Sequence, residues 1–518
     1  MNNQKKILWV DDEIELLRAH IIFLEARGYH ITPVTNAEDA ILLIQNQNFD
    51  LILLDEMLNG MDGLTALTKI KDLQPGLPVI MITKNEEEMI MEEAIGSKID
   101  DYLIKPVNPS QILSSCKKIL DSKKIEIDRA SRDYVQQLGA IAARLMTPLS
   151  AQDWIDIYVQ LTEWEVELDR YAGMGFRQTL LDQKRECNVE FGKFIERNYR
   201  NWLEQEHRPR LSTDLIAAEV LPLLEQNERV VFIVIDNLRL DQWLIMEPLL
   251  HPYYRITKDY YFSILPTATP YSRNAIFSGL FPSEFSQRYY ELWTKAEEDE
   301  TSQNRYEHQL LEEQIARRQF VLKPPLKYLK ILDLNETRSL LKNVVAYANL
   351  PLLAVVLNFI DFLAHSRSDS EVLKEIAPDE AAFRSLTRSW FEHSLFLKSL
   401  KKMATLGNTV IITSDHGSIR SLRGAKVIGD RETSSNLRYK FGKNLKCDPK
   451  YAIEIKNPLD FKLPKRGINT NYLIAKEDYY FVYPTDYHHY LSYYKDSFQH
   501  GGVSMEEMIL PIVRLEPK

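Results

Sequence analysis

The stretch that most constrains how this chain folds is residues 410–417, with the sequence VIITSDHG. Its apolar, β-branched start is typical of a buried strand. Asp415 and His416 follow directly, and in parallel α/β sheets ligands bind where the strands end. One carboxylate oxygen and one imidazole nitrogen are ligands that Zn²⁺ accepts. Taken alone, the motif fits a polar turn equally well, so the interpretation depends on what the other strand ends carry.

The bulk composition favours a multi-domain protein. A length of 518 residues suits about three domains of ordinary size, and 45% of the residues are hydrophobic. The net charge of -10 argues against a protein dominated by non-specific nucleic-acid binding, although a local basic groove stays compatible with it. Cys116, Cys187 and Cys447 lie far apart, which predicts no disulfide framework. The chain starts without a signal-peptide pattern and has no apolar run of membrane-spanning length, so we expect a cytoplasmic protein without membrane insertion.

The first segment, residues 1–122, alternates strand-like and helix-like stretches. Four short apolar runs have the character of strands: 6–10, 51–54, 79–82 and 102–104. The alternation predicts an α/β domain with a doubly wound parallel sheet. The strand ends would then bring five polar residues to one edge of the sheet: Asp11, Asp12, Asp55, Thr83 and Lys105.

This set of residues suits phosphoryl transfer to a carboxylate. The three carboxylates make an oxygen-rich site of the kind that Mg²⁺ prefers. Asp55 can accept a phosphoryl group because the metal offsets the negative charge. Thr83 can then hydrogen-bond to the new phosphate, and Lys105 can pair with it. The alternative, solvated helix caps and a surface lysine, does not explain why all five residues follow strands in order.

The first segment resembles the receiver domain of bacterial response regulators over its whole length. The acidic pair, Asp55, Thr83, Lys105-Pro106 and Tyr102 carry the resemblance. It implies a flavodoxin-like fold and a sensor histidine kinase that phosphorylates Asp55, with Thr83 and Tyr102 as the residues that report phosphorylation. Such a modification biases a two-state element through a local change of charge. We expect it to favour a homodimer through the surface near Tyr102.

The connector, residues 123–210, is rich in helix-forming residues. Three stretches are predicted to be helical: 125–146, 151–171 and 176–204. The short breaks between them favour an antiparallel bundle. A helical DNA-reading module is the rival interpretation, but no stripe of Lys and Arg supports it. We see no catalytic cluster in this segment.

The third segment, residues 211–518, repeats the strand-end pattern with imidazoles as well as carboxylates. Strand-like runs at 229–235, 352–357 and 409–413 are each followed by such groups. The candidate metal ligands are Asp236, Asp361, His365, Asp415, His416 and His500. One helical turn separates Asp361 from His365, which places both on one face of a helix. The two residue types together predict a transition-metal site.

A turn rich in Thr, residues 265–274, precedes an apolar stretch and is predicted to open a helix, whose N-terminus favours an anion. Thr267 and Thr269 are both candidate nucleophiles, because a metal can lower the pKa of a hydroxyl.

The charged segment 281–320 is predicted to be a helical insertion or lid, and its tyrosines can stack bases: Tyr289, Tyr290 and Tyr306. A further helix is predicted over 381–406. His488 and His489 are interpreted as ordinary polar residues.

From residue 211 onward the chain resembles the PglZ branch of the alkaline phosphatase superfamily. The resemblance rests on the order Asp, Thr, Asp-x-x-x-His, Asp-His and His-Gly. It implies two metal ions, usually zinc, beside a hydroxyl nucleophile. One ion would take Asp361, His365 and His500, and the other Asp236, Asp415, His416 and the Thr269 oxygen. The family pattern selects Thr269 over Thr267, because Arg273 stands four positions later; Arg273 would grip the phosphate, and Asn237 would add a hydrogen bond.

The arrangement of receiver, helical linker and PglZ segment resembles the PorX-type response regulators and covers essentially the whole chain. The resemblance implies a zinc-dependent phosphodiesterase that acts on linear or cyclic oligonucleotides, a link to type IX secretion, and an alternative sigma factor among its partners. No motif selects a phosphodiester over a monoester, so a phosphomonoesterase stays an alternative. A signalling scaffold that binds a sigma factor or a secretion component is the third interpretation.

Overall fold

The computed structural model describes residues 4–84, 99–169, 176–291, 305–429, 436–465, 467 and 469–518, with no side-chain description for 122–130. The chain divides into two compact units, Met1–Gln137 and Leu138–Lys518. Over this described part, no helix combines the length and the apolar character that crossing a membrane requires.

The first unit contains a five-stranded parallel sheet with the strand order β2-β1-β3-β4-β5. The strands are β1 Lys5–Val10, β2 Tyr29–Val34, β3 Leu51–Asp55, β4 Val79–Thr83 and β5 Asp101–Ile104. The α-helices are Arg18–Glu25, Ala37–Asn46, Gly63–Leu73 and Pro109–Leu120. Two apolar clusters cover the two faces of the sheet, so the predicted doubly wound fold is confirmed. The sequence did not reveal β2, since Pro33 interrupts it, which only an edge strand tolerates.

Three long helices follow: Ser122–Leu145, Ala151–Leu168 and Phe176–Trp202. Ser150 and Asp153 form a capping box that starts the second one. The second and third helices contact each other through aromatic side chains, with the Trp154 and Phe191 ring centroids 5.4 Å apart. The Phe191 ring in turn stacks on Phe262 at 6.4 Å. The second and third helices therefore belong to the same packed core as Phe262 in the strand Tyr254–Phe262.

The second unit is built on a six-stranded mixed sheet and three small sheets. Its strands are β6 Val230–Ile235, β7 Tyr254–Phe262, β8 Lys327–Ile331, β9 Leu352–Leu357, β10 Thr409–Thr413, β11 Ile419–Ser421, β12 Arg423–Lys426, β13 Tyr439–Lys443, β14 Ala452–Ile455, β15 Thr470–Ala475, β16 Tyr479–Val482, β17 Ser497–Gln499 and β18 Ile509–Pro517. The order of the large sheet is β7-β18-β10-β6-β9-β8. Strands β10, β6, β9 and β8 run parallel, and β18 runs antiparallel to β10.

The small sheets pair β11 with β17, β12 with β16, and β13 and β14 with β15. Their strands lie in the chain between the end of β10 and the loop that follows β17. Sequence analysis did not predict them, because they are short and partly polar. They matter here since β17 ends directly before His500.

Helices connect many of the strands of the second unit. After the middle helices, the α-helices are Leu221–Glu225, Leu240–Met246, Thr269–Ser278, Pro282–Arg288, Glu307–Arg317, Leu334–Tyr347, Phe359–Asp369, Glu371–Ile376, Glu380–His393, Leu395–Thr405, Tyr487–Tyr494 and Met505–Met508. The single helix predicted over 381–406 is wrong. Two helices occur there, because the Ser394 side chain accepts a hydrogen bond from Leu397 N at 3.0 Å and so starts the second helix. Part of the predicted lid, residues 292–304, lies outside the described residues.

Candidate active site

The order of the large sheet brings the candidate ligands to one edge. Strand β6 lies between β10 and β9, and the three strands are parallel, so their carboxyl ends meet. Asp236 directly follows β6, and Asp415 and His416 follow β10. Asp361 lies in the first turn of the Phe359–Asp369 helix, which comes directly after β9. This edge is where α/β sheets bind ligands.

The first donor group consists of Asp236, Asp415 and His416, whose ligand atoms all lie within 4.8 Å of one another. His416 Nε2 is 3.6 Å from Asp236 Oδ1 and 3.7 Å from Asp415 Oδ2. All three side chains are buried. Burial raises the pKa of the Asp236 carboxyl well above its ordinary value, and Asp415 adds to this effect.

The second donor group consists of Asp361, His365 and His500. The helix places His365 Nε2 3.4 Å from Asp361 Oδ1, and His500 Nε2 lies 3.8 Å from the same oxygen. The His500 ring stacks on His416 with centroids 4.1 Å apart, so the two groups adjoin. Burial and the neighbouring His416 lower the pKa of His500 to about 3, which keeps this imidazole neutral and able to bind a metal.

The two threonines have different surroundings. Thr267 is fully buried, and its hydroxyl donates to Gly502 O at 2.8 Å and accepts from Gly501 N at 3.1 Å. Thr269 opens the Thr269–Ser278 helix, and its Oγ1 lies 2.9 Å from His416 Nε2. The Thr267 hydroxyl thus holds the loop that carries His500, while the Thr269 hydroxyl faces the first donor group.

Arg273 is completely buried against the carboxylates of the first group. Its Nε donates to Asp415 Oδ2 at 3.0 Å, and its guanidinium forms an ion pair with Asp236. Burial favours a raised pKa for Asp415, but Arg273 and His416 outweigh it and lower that pKa. In this structure the guanidinium therefore neutralises and orients two ligand carboxylates, whereas the sequence interpretation assigned it to the phosphate.

Two asparagine side chains donate hydrogen bonds to carboxylates of the two donor groups. Asn237 Nδ2 donates to Asp361 Oδ1 at 3.2 Å, and Asn358 Nδ2 donates to Asp236 Oδ2 at 2.8 Å. Asn237 adopts a φ of 63°, in the left-handed region that asparagine tolerates. Sequence reasoning missed a role for Asn358, although its place directly after β9 matches that of Asp236 after β6.

The donor set fits a pair of transition-metal ions. Asp236 Oδ1 and His500 Nδ1 are buried side-chain atoms without a hydrogen-bond partner, and a buried polar atom of this kind is costly. Mixed imidazole and carboxylate ligands are typical of zinc sites. A cation held between these groups would satisfy Asp236 Oδ1 and compensate the carboxylate charges of both groups.

Close packing of two loops maintains this arrangement. A Cβ atom on Gly417 would lie 2.0 Å from Glu506 O, so no larger residue fits after His416. Gly501, after His500, has a φ of +114°, which favours glycine. The His-Gly order of both motifs is therefore a requirement of the backbone.

The first unit holds the third donor group, Asp11, Asp12 and Asp55. Lys105 Nζ lies 2.7 Å from Asp55 Oδ2 and 3.0 Å from Asp11 Oδ2. Burial raises the pKa of Asp55 even though Lys105 opposes this shift. Asn59, which sequence analysis missed, donates to Asp12 Oδ2 at 2.8 Å. All donors are oxygens, which suits Mg²⁺.

Thr83 and Tyr102, the residues expected to report phosphorylation, differ in exposure. Thr83 ends β4 and is buried, while Tyr102 in β5 is 43% exposed. Thr83 therefore suits the role of a buried group near Asp55, and Tyr102 suits the role of a surface group that a partner can contact.

The predicted lid tyrosines, His488 and His489 lie outside the donor groups. Tyr290 is 68% exposed, whereas the Tyr289 hydroxyl accepts a hydrogen bond from Arg317 Nη1 at 3.0 Å. Tyr306 is the N-cap residue of the Glu307–Arg317 helix. His488 and His489 are exposed in the Tyr487–Tyr494 helix.

A family model for the BREX system PglZ alkaline phosphatase-like domain matches residues 215–515, more than half of the chain. The chain belongs to the PglZ family. Ahead of the PglZ domain, a response regulator receiver domain matches residues 7–117, and a PorX response regulator linker domain matches residues 124–203. This order of domains is that of a PorX-type response regulator.

The curated relatives resemble the receiver part. The transcriptional regulatory protein ResD of Bacillus subtilis (strain 168) is 36% identical over 118 residues, which is 23% of this chain and 49% of that protein. SrrA of Staphylococcus aureus (strain NCTC 8325 / PS 47) is 36% identical over 120 residues, which is 23% of this chain and 48% of that protein. The chain thus spans about half the length of these relatives. A solved structure of a CheY-like receiver domain protein from Methanospirillum hungatei JF-1 is 33% identical in sequence, with a TM-score of 0.23. The match covers 24% of this chain and 99% of that protein.

Proposed function

We propose that this PglZ protein is a two-component response regulator whose C-terminal unit is a two-zinc phosphodiesterase. The observation that carries the proposal is the Thr269 hydroxyl, which lies 2.9 Å from His416 Nε2 beside two adjoining donor groups. A potential nucleophile and a set of metal ligands so placed are the two requirements of the chemistry.

Asp236, Asp415, His416 and Thr269 would hold one zinc ion, and Asp361, His365 and His500 the other. When bound, the two ions supply Lewis acidity that lowers the pKa of the Thr269 hydroxyl and offsets charge on the phosphoryl oxygens. Arg273 pairs with Asp236 and Asp415 and lowers the pKa of Asp415, and Asn358 and Asn237 fix the orientation of Asp236 and Asp361.

The position of Thr269 at a helix start favours attack by its oxygen. The first turn of the Thr269–Ser278 helix directs positive partial charge at this end, which stabilises an alkoxide and an anionic substrate. Thr269 Oγ1 forms a bond to phosphorus while the bond to one alcohol of the diester breaks; the hydroxyl proton passes to solvent, and the leaving oxygen takes a proton from solvent. Water then attacks the phosphorus of the threonine-linked diester, which releases a phosphomonoester and restores the hydroxyl.

We favour linear or cyclic oligonucleotides as substrates. The exposed Tyr290 ring, which follows the Pro282–Arg288 helix, offers a surface on which a base can stack. A phosphomonoesterase would use the same residues, and the ratio of diester to monoester rates with one leaving group separates the two. A scaffold that binds a sigma factor predicts instead that Thr269→Ala leaves the cellular output intact.

The receiver would supply regulation. We propose that a sensor histidine kinase phosphorylates Asp55 in a Mg²⁺-dependent reaction and that phosphorylation favours a homodimer. Mass measurement in solution with and without an acyl-phosphate mimic tests the second part. The same mass in both conditions would contradict it.

Hydrolysis of a chromogenic phosphodiester tests the proposed activity. We expect the Thr269→Ala rate to fall about 10³-fold or more, as removal of a nucleophile does, and Thr269→Ser to retain part of the activity. Thr405→Ala, at an exposed position at the end of the Leu395–Thr405 helix, is the matched control and should equal wild type. Equal rates for wild type, Thr269→Ala and chelated protein would refute the proposal.

A further inference from the structure

A buried network of charged and amide side chains joins the middle helices to the loops of the active site. On the Phe176–Trp202 helix, Lys184 Nζ lies 2.6 Å from Glu165 Oε2 and 3.1 Å from Glu506 Oε1. One turn later, Asn188 Nδ2 donates to Glu506 Oε2 at 2.9 Å, and Asn188 Oδ1 accepts from Met505 N at 2.8 Å. This helix therefore fixes both the side chain of Glu506 and the backbone of Met505.

The segment 504–507, which Asn188 holds, contacts the loops that carry two metal ligands. Gly502, in the loop after His500, donates its N–H to Glu507 Oε1 at 2.8 Å. Gly417, directly after His416, donates its N–H to Glu507 O at 3.2 Å. Since Glu506 O also lies against the Gly417 Cα, a shift of this segment displaces His416 and His500 together.

The network continues to the loop after β6. Arg384 Nη1 lies 2.7 Å from Glu165 Oε1 and 3.0 Å from Asp241 Oδ2. Arg239 Nη2 lies 2.6 Å from Asp241 Oδ2, and Arg239 stands three residues after the ligand Asp236. Glu165 thus connects both halves of the network, one that ends near His500 and one that ends near Asp236.

The charged and amide side chains of the network are better suited to fixing the arrangement of the backbone than to adding stability. The side chains of Lys184 and Glu165 are 13% and 9% exposed, and buried ion pairs of this kind often add little net stability over apolar residues. Burial alone would lower the pKa of Lys184, but Glu165 and Glu506 raise it, so the ammonium stays charged. Fixed donors and acceptors define one arrangement of the backbone, which apolar contacts would not.

We propose that Asn188 and Lys184 are positioning residues for hydrolysis. Through Glu506 and Met505, they hold the loops of His416 and His500 in the geometry that two metal ions need. The middle helices are then part of the hydrolytic site, and any change in their position alters the reaction. The inference rests on the proposed phosphodiesterase function.

The test compares Asn188→Ala with Gln183→Ala in the full-length protein. Gln183 lies on the same helix, is buried, and donates a single hydrogen bond to Leu138 O at 3.0 Å, outside the network. For Asn188→Ala we expect kcat to fall about tenfold, which corresponds to about 1.4 kcal/mol, with little change in KM. Gln183→Ala should lose thermal stability but keep its kcat. Asn188→Ser gives a milder substitution if Asn188→Ala does not fold.

Two further measurements do not depend on activity. Hydrogen exchange of peptides that cover residues 499–508 should accelerate in Asn188→Ala and stay unchanged in Gln183→Ala. The affinity for zinc alone, measured by competition with a chromophoric chelator, should fall about tenfold in Asn188→Ala only, as outer-group mutations do. Equal kcat, exchange and zinc affinity in the two variants would overturn the inference. If the wild type does not hydrolyse phosphodiesters, the proposed function fails, while exchange and zinc affinity still decide the role of Asn188.

Discussion

The protein contains two anionic clusters at the carboxyl ends of parallel strands, and they differ in donor chemistry. The receiver cluster offers carboxylate oxygens, with Lys105 2.7 Å from Asp55. The PglZ cluster mixes carboxylates with imidazoles, and the buried cation beside it is Arg273. In both clusters parallel strands bring the side chains together, and the donor atoms of one suit a hard cation while those of the other suit a borderline one.

The proposed phosphoryl acceptors of the two clusters also differ in their chemistry. In the receiver the proposed acceptor is a carboxylate of the donor group itself, Asp55, whose pKa burial raises. In the PglZ domain the proposed acceptor is a hydroxyl, Thr269, which would need stronger activation because its ordinary pKa is far higher than that of a carboxyl.

The largest expected effect is in the receiver. Asp55→Asn should abolish phosphorylation by a small phosphodonor, because an amide oxygen is not a sufficient nucleophile, and should leave zinc content unchanged. Asp62→Asn, at an exposed helix cap of the same unit, is the control and should be phosphorylated normally. Phosphoprotein detection and elemental analysis of both variants check this. Phosphorylated Asp55→Asn would remove Asp55 as the acceptor.

The second effect is in the PglZ site. His416→Ala removes a ligand that also contacts Thr269, and we expect phosphodiester hydrolysis to fall about 10³-fold or more, with phosphorylation of Asp55 intact. His488→Ala, an exposed histidine outside the donor groups, should behave as wild type. Comparable loss in both variants would show that the site is misassigned.

A smaller effect is expected when the metal ion is exchanged, and it should differ between the receiver and the PglZ site. After chelation, Mg²⁺ should restore Asp55 phosphorylation but leave hydrolysis about 10²-fold below the zinc-restored rate, because imidazole ligands suit zinc and not magnesium. Parallel assays of one sample, reconstituted with each metal, measure this. Full hydrolysis with Mg²⁺ alone would contradict the assignment of the ligands.

The smallest effect is a difference in acid response between the two units of the metal-free protein. Lys184 and Arg384 outweigh burial and lower the pKa of Glu165 below its ordinary 4.5. Its contribution to stability is therefore present above pH 4.5 and declines as the pH falls toward the lowered value, by at most about 1.4 kcal/mol per pH unit. The raised pKa of Asp55 has the opposite sign, so the receiver gains stability as the pH falls through that value toward 3.8.

Hydrogen exchange of peptides from each unit across the acid range measures both trends. Glu165→Gln should flatten the acid loss of the second unit, and Asp55→Asn should flatten the acid gain of the first. A parallel response of the two units in wild type would refute the assignment of these pKa directions.

Sequence patterns predict the strand ends well because local chemistry determines them. Strand β9 and the helix turn that joins Asp361 to His365 both follow from apolar runs and helical spacing. The division of the helix at Ser394 was missed, because a single serine in an amphipathic stretch looks like an exposed position.

The positioning network could not be predicted, for a physical reason. Glu165, Lys184 and Asn188 have the pattern of solvated positions on ordinary helices. Glu506, the partner of Lys184 and Asn188, lies more than 300 residues away along the chain, and only the packing of the middle helices makes these side chains buried. The small strands β11 to β17 were missed for a related reason, since their pairing is not local.

The central claim is that the two donor groups of the PglZ domain hold two zinc ions beside Thr269. Anomalous diffraction from crystals of the zinc-loaded protein, collected at the zinc absorption edge, tests it most directly. The account predicts two peaks, one among Asp236, Asp415 and His416 and one among Asp361, His365 and His500. No peak there in fully metallated protein, or zinc bound only elsewhere, would contradict it.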